Sequence, residues 1–137
     1  MEARTSAQLY ALVFGVVLVA AGIIGFFYEA SFAAGAGVVT DSNAFGILAV
    51  NGWHNLIHLL TGAIGLAVVG SVSGSRTYAL VLGVVYVLVA IWGFASPPAI
   101  LSLVPVNVED DILHLLIGIA GLGAYAASRT SSAATPA

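Results

Sequence analysis

The sequence predicts an all-α membrane protein: four transmembrane helices formed by tandem duplication of a two-helix hairpin. Three observations carry this. Of 137 residues, 61% are hydrophobic and 7% charged, and the mean hydropathy is +1.11, beyond what a soluble domain of this size tolerates. Four apolar runs, near 8–28, 49–71, 77–95 and 105–127, each approach the roughly 20 residues that cross a hydrocarbon core of about 30 Å. The runs also repeat in pairs. They are continuous, whereas strands of a transmembrane barrel would alternate apolar and polar residues.

Helix 1 carries Tyr10-Ala11-Leu12-Val13-Phe14-Gly15-Val16-Val17, and helix 3 carries Tyr78-Ala79-Leu80-Val81-Leu82-Gly83-Val84-Val85. The alignment continues to Gly25-Phe26 and Gly93-Phe94, an offset of 68. That internal repetition, and a run longer than a signal-peptide core of about 7–15 residues, make helix 1 a span and not a cleaved leader. Helices 2 and 4 repeat at an offset of 56, from Val50-Asn51 to Val106-Asn107. Each unit crosses twice, so the two are expected as parallel repeats about an axis near the membrane normal. Gly15, Gly22 and Gly25 in helix 1, matched by Gly83, Ala90 and Gly93 in helix 3, form small-residue faces for close helix packing. Gly62, Gly65, Gly118 and Gly121 do the same in helices 2 and 4.

The connections read as a polar turn from Ser71 to Thr77, an Ala/Gly/Ser-rich link near 29–48, and a shorter link opened by Pro97-Pro98, which stops helix 3. The expected organisation is a cytoplasmic N-terminus (1–7), one transmembrane domain (8–128, with hairpins 8–71 and 77–127) and a disordered cytoplasmic tail (129–137). Arg4, Arg76 and Arg129 fall at one side of the helices, whereas Glu29, Asp41, Glu109, Asp110 and Asp111 fall at the other. The positive-inside tendency then makes that side cytoplasmic, with both termini inside. Trp53, Trp92, Tyr10, Tyr28 and Tyr78 read as interfacial anchors. Three basic residues make a nucleic-acid surface implausible, and no cysteine is present for disulfides or thiolate ligation.

Polar residues concentrate at the heads of helices 2 and 4. Asn51, His54, Asn55 and His58 stand at i, i+3, i+4 and i+7 on one face, and Asn107, Asp110, Asp111 and His114 stand on the equivalent face. Asn107 with Glu109, Asp110 and Asp111 reads as a capped helix start with acids at the positive end of the dipole, and Asn51 is expected to cap helix 2. If the hairpins pack about the pseudo-axis, the two faces meet. Three readings follow. The eight residues satisfy one another as a hydrogen-bonded packing cluster; His54, His58, Asp110 and His114 hold a divalent metal or sense protons; or His58 and His114 ligate a haem b axially. No phosphate loop, dinucleotide fingerprint, HExxH motif or nucleophile with a paired base is present, and no catalytic residue is identified.

The Tyr-Ala-Leu opening of helix 1, its Gly25-Phe26-Phe27-Tyr28 end, His54-Asn55-x-x-His58 and the Asn107, Asp110, His114 element resemble a largely actinobacterial membrane family, domain of unknown function 4383, over about 6–127. The resemblance implies a four-helix inner-membrane protein and carries no catalytic residue. The leading expectation is a non-enzymatic structural or accessory component, its partners the lipid bilayer and a membrane protein or a second copy. Metal or proton binding and haem-mediated electron transfer stand as the alternatives.

Overall fold

The computed structural model describes residues 3–133. Four helices dominate: α1 (Ser6–Phe26), α2 (Gly52–Val68), α3 (Val72–Ala95) and α4 (Val108–Ala133). Ahead of α2 lies a short antiparallel pair, β1 (Asn43–Ala44) with β2 (Leu48–Ala49), and ahead of α4 a second, β3 (Ala99–Ile100) with β4 (Val104–Pro105). A one-turn 3-10 helix, Gly35–Gly37, interrupts the long link after α1.

The helix boundaries follow from caps. Thr5 and Gln8 form a reciprocal capping box at the start of α1. Asn51 Oδ1 accepts the His54 amide at 2.9 Å, and the chain before it is held extended by pairing with β1. Helix α2 therefore starts at Gly52 and not at 49. Its 17 residues rise about 25 Å. Among the described residues, three segments are long and apolar enough to cross a membrane: Ser6–Phe26, Val72–Ala95 and Val108–Ser128.

The link from Ser71 to Thr77, expected as a polar turn, is mostly helix. Ser71 Oγ accepts the Gly74 amide at 3.0 Å and caps α3 from Val72 onward. Ser75 Oγ donates at 2.9 Å to the Val68 carbonyl, which also accepts the Ser71 amide at 2.9 Å, so the start of α3 is tied to the end of α2. The tail expected to lack structure from 129 is helical to Ala133, and residues 134–137 lie outside the described residues.

Helix α1 packs along α2 and α3 along α4; α1 also touches α3 and α4, and α2 meets α3 over a shorter stretch. The glycine faces make the first two contacts. A Cβ on Gly62 would stand 2.6 Å from the Val19 amide nitrogen and 2.8 Å from the Gly15 carbonyl, and one on Gly118 would stand 2.9 Å from the Gly83 carbonyl. At Gly25 and Gly93 it would meet the side chains of Asn55 and Asp111. Outward faces are apolar and exposed, as with Val13, Val16, Ile64, Val81 and Leu88.

Tyr10 and Tyr78, expected at the membrane boundary, are instead buried at the centre. Their rings lie 6.1 Å apart and reach toward the opposite hairpin. The Tyr10 hydroxyl donates to the Ile117 carbonyl at 3.0 Å beside Gly121, and the Tyr78 ring lies against Gly65. The missing Cβ atoms open the space these rings fill. Tyr28 and Trp92 remain exposed.

Candidate functional site

At the end of the bundle that carries the short β-pairs, two asparagines each serve two elements. Asn51 caps α2 with its Oδ1 and donates from Nδ2 to the Leu103 carbonyl at 2.7 Å, in the turn between β3 and β4. Asn107 caps α4 in the same way, accepting the Asp110 amide at 2.9 Å, and its Nδ2 donates to the Ile47 carbonyl at 2.7 Å, between β1 and β2. The turns present these carbonyls through paired left-handed residues, Phe45 and Gly46 in one and Leu101 and Ser102 in the other. Each hairpin thus clasps the helix that follows the other one.

Asp110 completes this layer. Its Oδ2 accepts the Ala49 amide at 2.9 Å and the Asn107 amide at 3.2 Å, closing a capping box and tying α4 to β2. Fifty-six residues after Ala49 stands Pro105, and 56 before Asp110 stands His54. Proline has no amide hydrogen to offer. The position that faces it therefore has no donor to satisfy, and an imidazole takes the place of the carboxylate.

One layer deeper, His54, His58 and His114 converge. One nitrogen from each ring lies within 4.8 Å of the others. The ring centroids are 4.4 Å apart for His54 and His58, 5.7 Å for His54 and His114, and 6.1 Å for His58 and His114. His54 is 2% exposed and His114 6%. The Ala49 and Pro105 carbonyls flank the His54 ring, yet neither of its nitrogens completes a hydrogen bond, and His114 Nδ1 also lacks a partner. Leaving a buried polar group unsatisfied costs about 1–3 kcal/mol, so three such nitrogens in one place call for a ligand or a function.

The three rings line a cavity of about 350 Å³ whose other walls include Tyr86, Leu82, Leu103 and Val104. The Tyr86 ring stands edge-on to His114 at 5.0 Å, and its hydroxyl lies toward Thr61 without closing a hydrogen bond. Sequence reasoning missed Tyr86 and Thr61. The signal was available only in part: Tyr78 and Tyr86 share one stripe of helix 3, but nothing local distinguishes a cavity wall from core.

The eight polar residues singled out by spacing therefore separate into three groups. Asn51, Asn107 and Asp110 form the interlocking caps, and His54, His58 and His114 form the cluster, without Asp110. Asn55 and Asp111 turn away from both. Asn55 Nδ2 donates to the Glu29 carbonyl at 2.8 Å with its Oδ1 against Gly25, and Asp111 puts its Oδ1, unpartnered, against Gly93. Helices α2 and α4 have little backbone contact, so their polar faces meet only through side chains.

Asp111 carries a direct prediction. It occupies the place that Asn55 holds in the other hairpin, and burying a carboxylate costs several kcal/mol unless it is fully paired. Asp111→Asn removes the charge at nearly constant shape. Thermal unfolding in detergent is expected to show a gain of about 1–3 kcal/mol. A loss would mean that the carboxylate has a partner of its own.

These features define a class: a helical chain with apolar, membrane-type helices and interlocked caps over a largely buried histidine cluster. The chain belongs to the family described as domain of unknown function (DUF4383), whose model matches residues 8–127. Neither the curated proteins nor the solved structures include a match to it.

Proposed function

We propose that this is a metal-binding membrane protein in which His54, His58 and His114 hold one borderline divalent ion of the zinc class. The observation that carries the reading is the convergence of three imidazoles, two of them buried, with both His54 nitrogens and His114 Nδ1 left without a hydrogen-bond partner. Imidazole suits zinc, copper, iron and nickel. Tetrahedral zinc at about 2.0–2.1 Å from each nitrogen spaces its ligands by about 3.4 Å, so rings now within 4.8 Å need close in by at most about 1.4 Å. A haem is less well supported, because the His54 ring stands beside the line joining His58 and His114, where the macrocycle would lie. The hydrogen-bonded packing role belongs to Asn51, Asn107 and Asp110.

In this reading all four helices cross the bilayer. The matched environments of Asn51 and Asn107, of Gly25 and Gly93, and of Tyr10 and Tyr78 support a duplicated hairpin with parallel repeats. The positions of Arg4, Arg76 and Arg129 support cytoplasmic termini, and with them a cluster that opens toward the outer half of the inner membrane. The chain's role is binding and not catalysis, alone or with a membrane-protein partner or second copy.

The test is the metal content of the full chain purified gently in detergent, beside a His58→Ala/His114→Ala double variant. One equivalent of metal, absent from the variant, is expected. A protein that stays metal-free after incubation with zinc(II), cobalt(II) or copper(II) refutes the reading.

A further inference from the structure

The histidine cavity is the upper part of a longer cleft. A second volume of about 410 Å³ is a groove between α2 and α3 that opens on the exposed apolar face, walled by Val68, Tyr78 and the exposed Ile64, and it shares Thr61, Leu82 and the exposed Val81 with the first. Both fall in the size range of ligand sites, about 300–1,000 Å³. The cleft exists because α2 and α3 pack over a shorter stretch than the corresponding pair, α4 and α1. From His58 to Val68 it follows ten residues of α2, about 15 Å. Its walls are almost wholly aliphatic or aromatic below the histidines.

Charge sets what the upper end requires. Three neutral imidazoles around a divalent ion leave its charge uncompensated, and an unpaired charge in a low-dielectric interior is costly. The acids nearest in sequence do not ligate the cluster: Asp110 is held by two amides, Asp111 is turned to Gly93, and Glu109 is exposed in the first turn of α4. Three protein ligands also leave the fourth tetrahedral position open, as in sites that accept an exogenous group. An anion in that position compensates the charge, and an apolar group matches the lining of the volume beneath it.

We propose that the fourth ligand is the carboxylate of a long-chain fatty acid, its chain lying in the cleft between α2 and α3. An oxygen anion is a normal zinc-class ligand, an acyl chain matches the lining, and a carboxyl head is small enough to reach a cluster about two turns below the start of α2. A phosphate-bearing headgroup belongs at the interface above it. This inference rests on the metal reading.

The experiment uses the full chain in phosphatidylcholine nanodiscs loaded with cobalt(II), whose visible bands report its coordination. Palmitate and acetate are titrated in parallel, on the wild type and on Val81→Trp and Val85→Phe, which narrow the cleft without touching a ligand. Palmitate is expected to shift the bands at a concentration at least about 10-fold below acetate. Both variants are expected to bind cobalt normally and lose that advantage, which separates the cleft from simple partitioning into the bilayer. Equal effects of palmitate and acetate, or an advantage that survives in both variants, overturn the fatty-acid proposal and leave the metal site standing. No histidine-dependent cobalt spectrum at all overturns both.

Discussion

Replacing His54 with phenylalanine is expected to make the metal-free protein more stable and to lower zinc(II) or cobalt(II) affinity at least about 100-fold. Phenylalanine keeps the ring in its slot and removes two nitrogens that the fold leaves without hydrogen bonds. Removing an unsatisfied buried polar group at constant shape is neutral to stabilising by about 1–3 kcal/mol. The loss of affinity follows from deleting one of three ligands, since even a partner that only supports a ligand is worth about 10–100-fold. Thermal unfolding of metal-free protein and a competition titration read the two effects separately. The contrast is Asp110→Ala, which forfeits two amide bonds: about 2–3 kcal/mol of stability should go, with metal affinity changed only a few-fold. If His54→Phe lowers the stability of metal-free protein and Asp110→Ala abolishes metal binding, the division into a capping layer and a ligand layer is wrong.

Gly62→Ala is expected to cost about 3 kcal/mol of stability. The added methyl would meet the Val19 amide nitrogen at 2.6 Å and the Gly15 carbonyl at 2.8 Å, so the backbones of α1 and α2 would have to separate along their contact. Overpacking against backbone has no flexible side chain to absorb it. Gly118→Ala should act in the same way through Gly83 and Val87. Gly123 supplies the control, because a Cβ there meets nothing within 4 Å. Gly123→Ala should raise stability by up to about 1 kcal/mol through helix propensity alone. The comparison is made by unfolding each variant in the same detergent. Comparable stability of Gly62→Ala and Gly123→Ala would show that the helices are not in backbone contact at Gly62.

The long-range use of the polar residues was legible in part. Spacing put Asn51 and Asn107 at helix starts, which they are, because a cap is a local bond between residues three apart. It could not show that the other end of each amide grips the opposite hairpin's turn, since Leu103 is 52 residues from Asn51. The two β-pairs escaped notice because strands of two residues have no periodicity, and Leu101-Ser102 is no turn signature.

Composition and local pattern were sufficient to determine the helical class and the apolar runs, because lipid compatibility and helix periodicity act over neighbouring residues. They also singled out His54, His58 and His114, as costly polar groups in apolar stretches must have a reason to be there. Only the tertiary structure decided which groups meet. It withdrew Asp110 from the cluster by giving it the Ala49 amide, sent Asn55 and Asp111 against glycines, carried Tyr10 and Tyr78 inward, and left α2 and α3 apart over a cleft. A helix face fixes direction to within a broad arc, whereas a ligand site depends on ångström distances set by the packing of four helices.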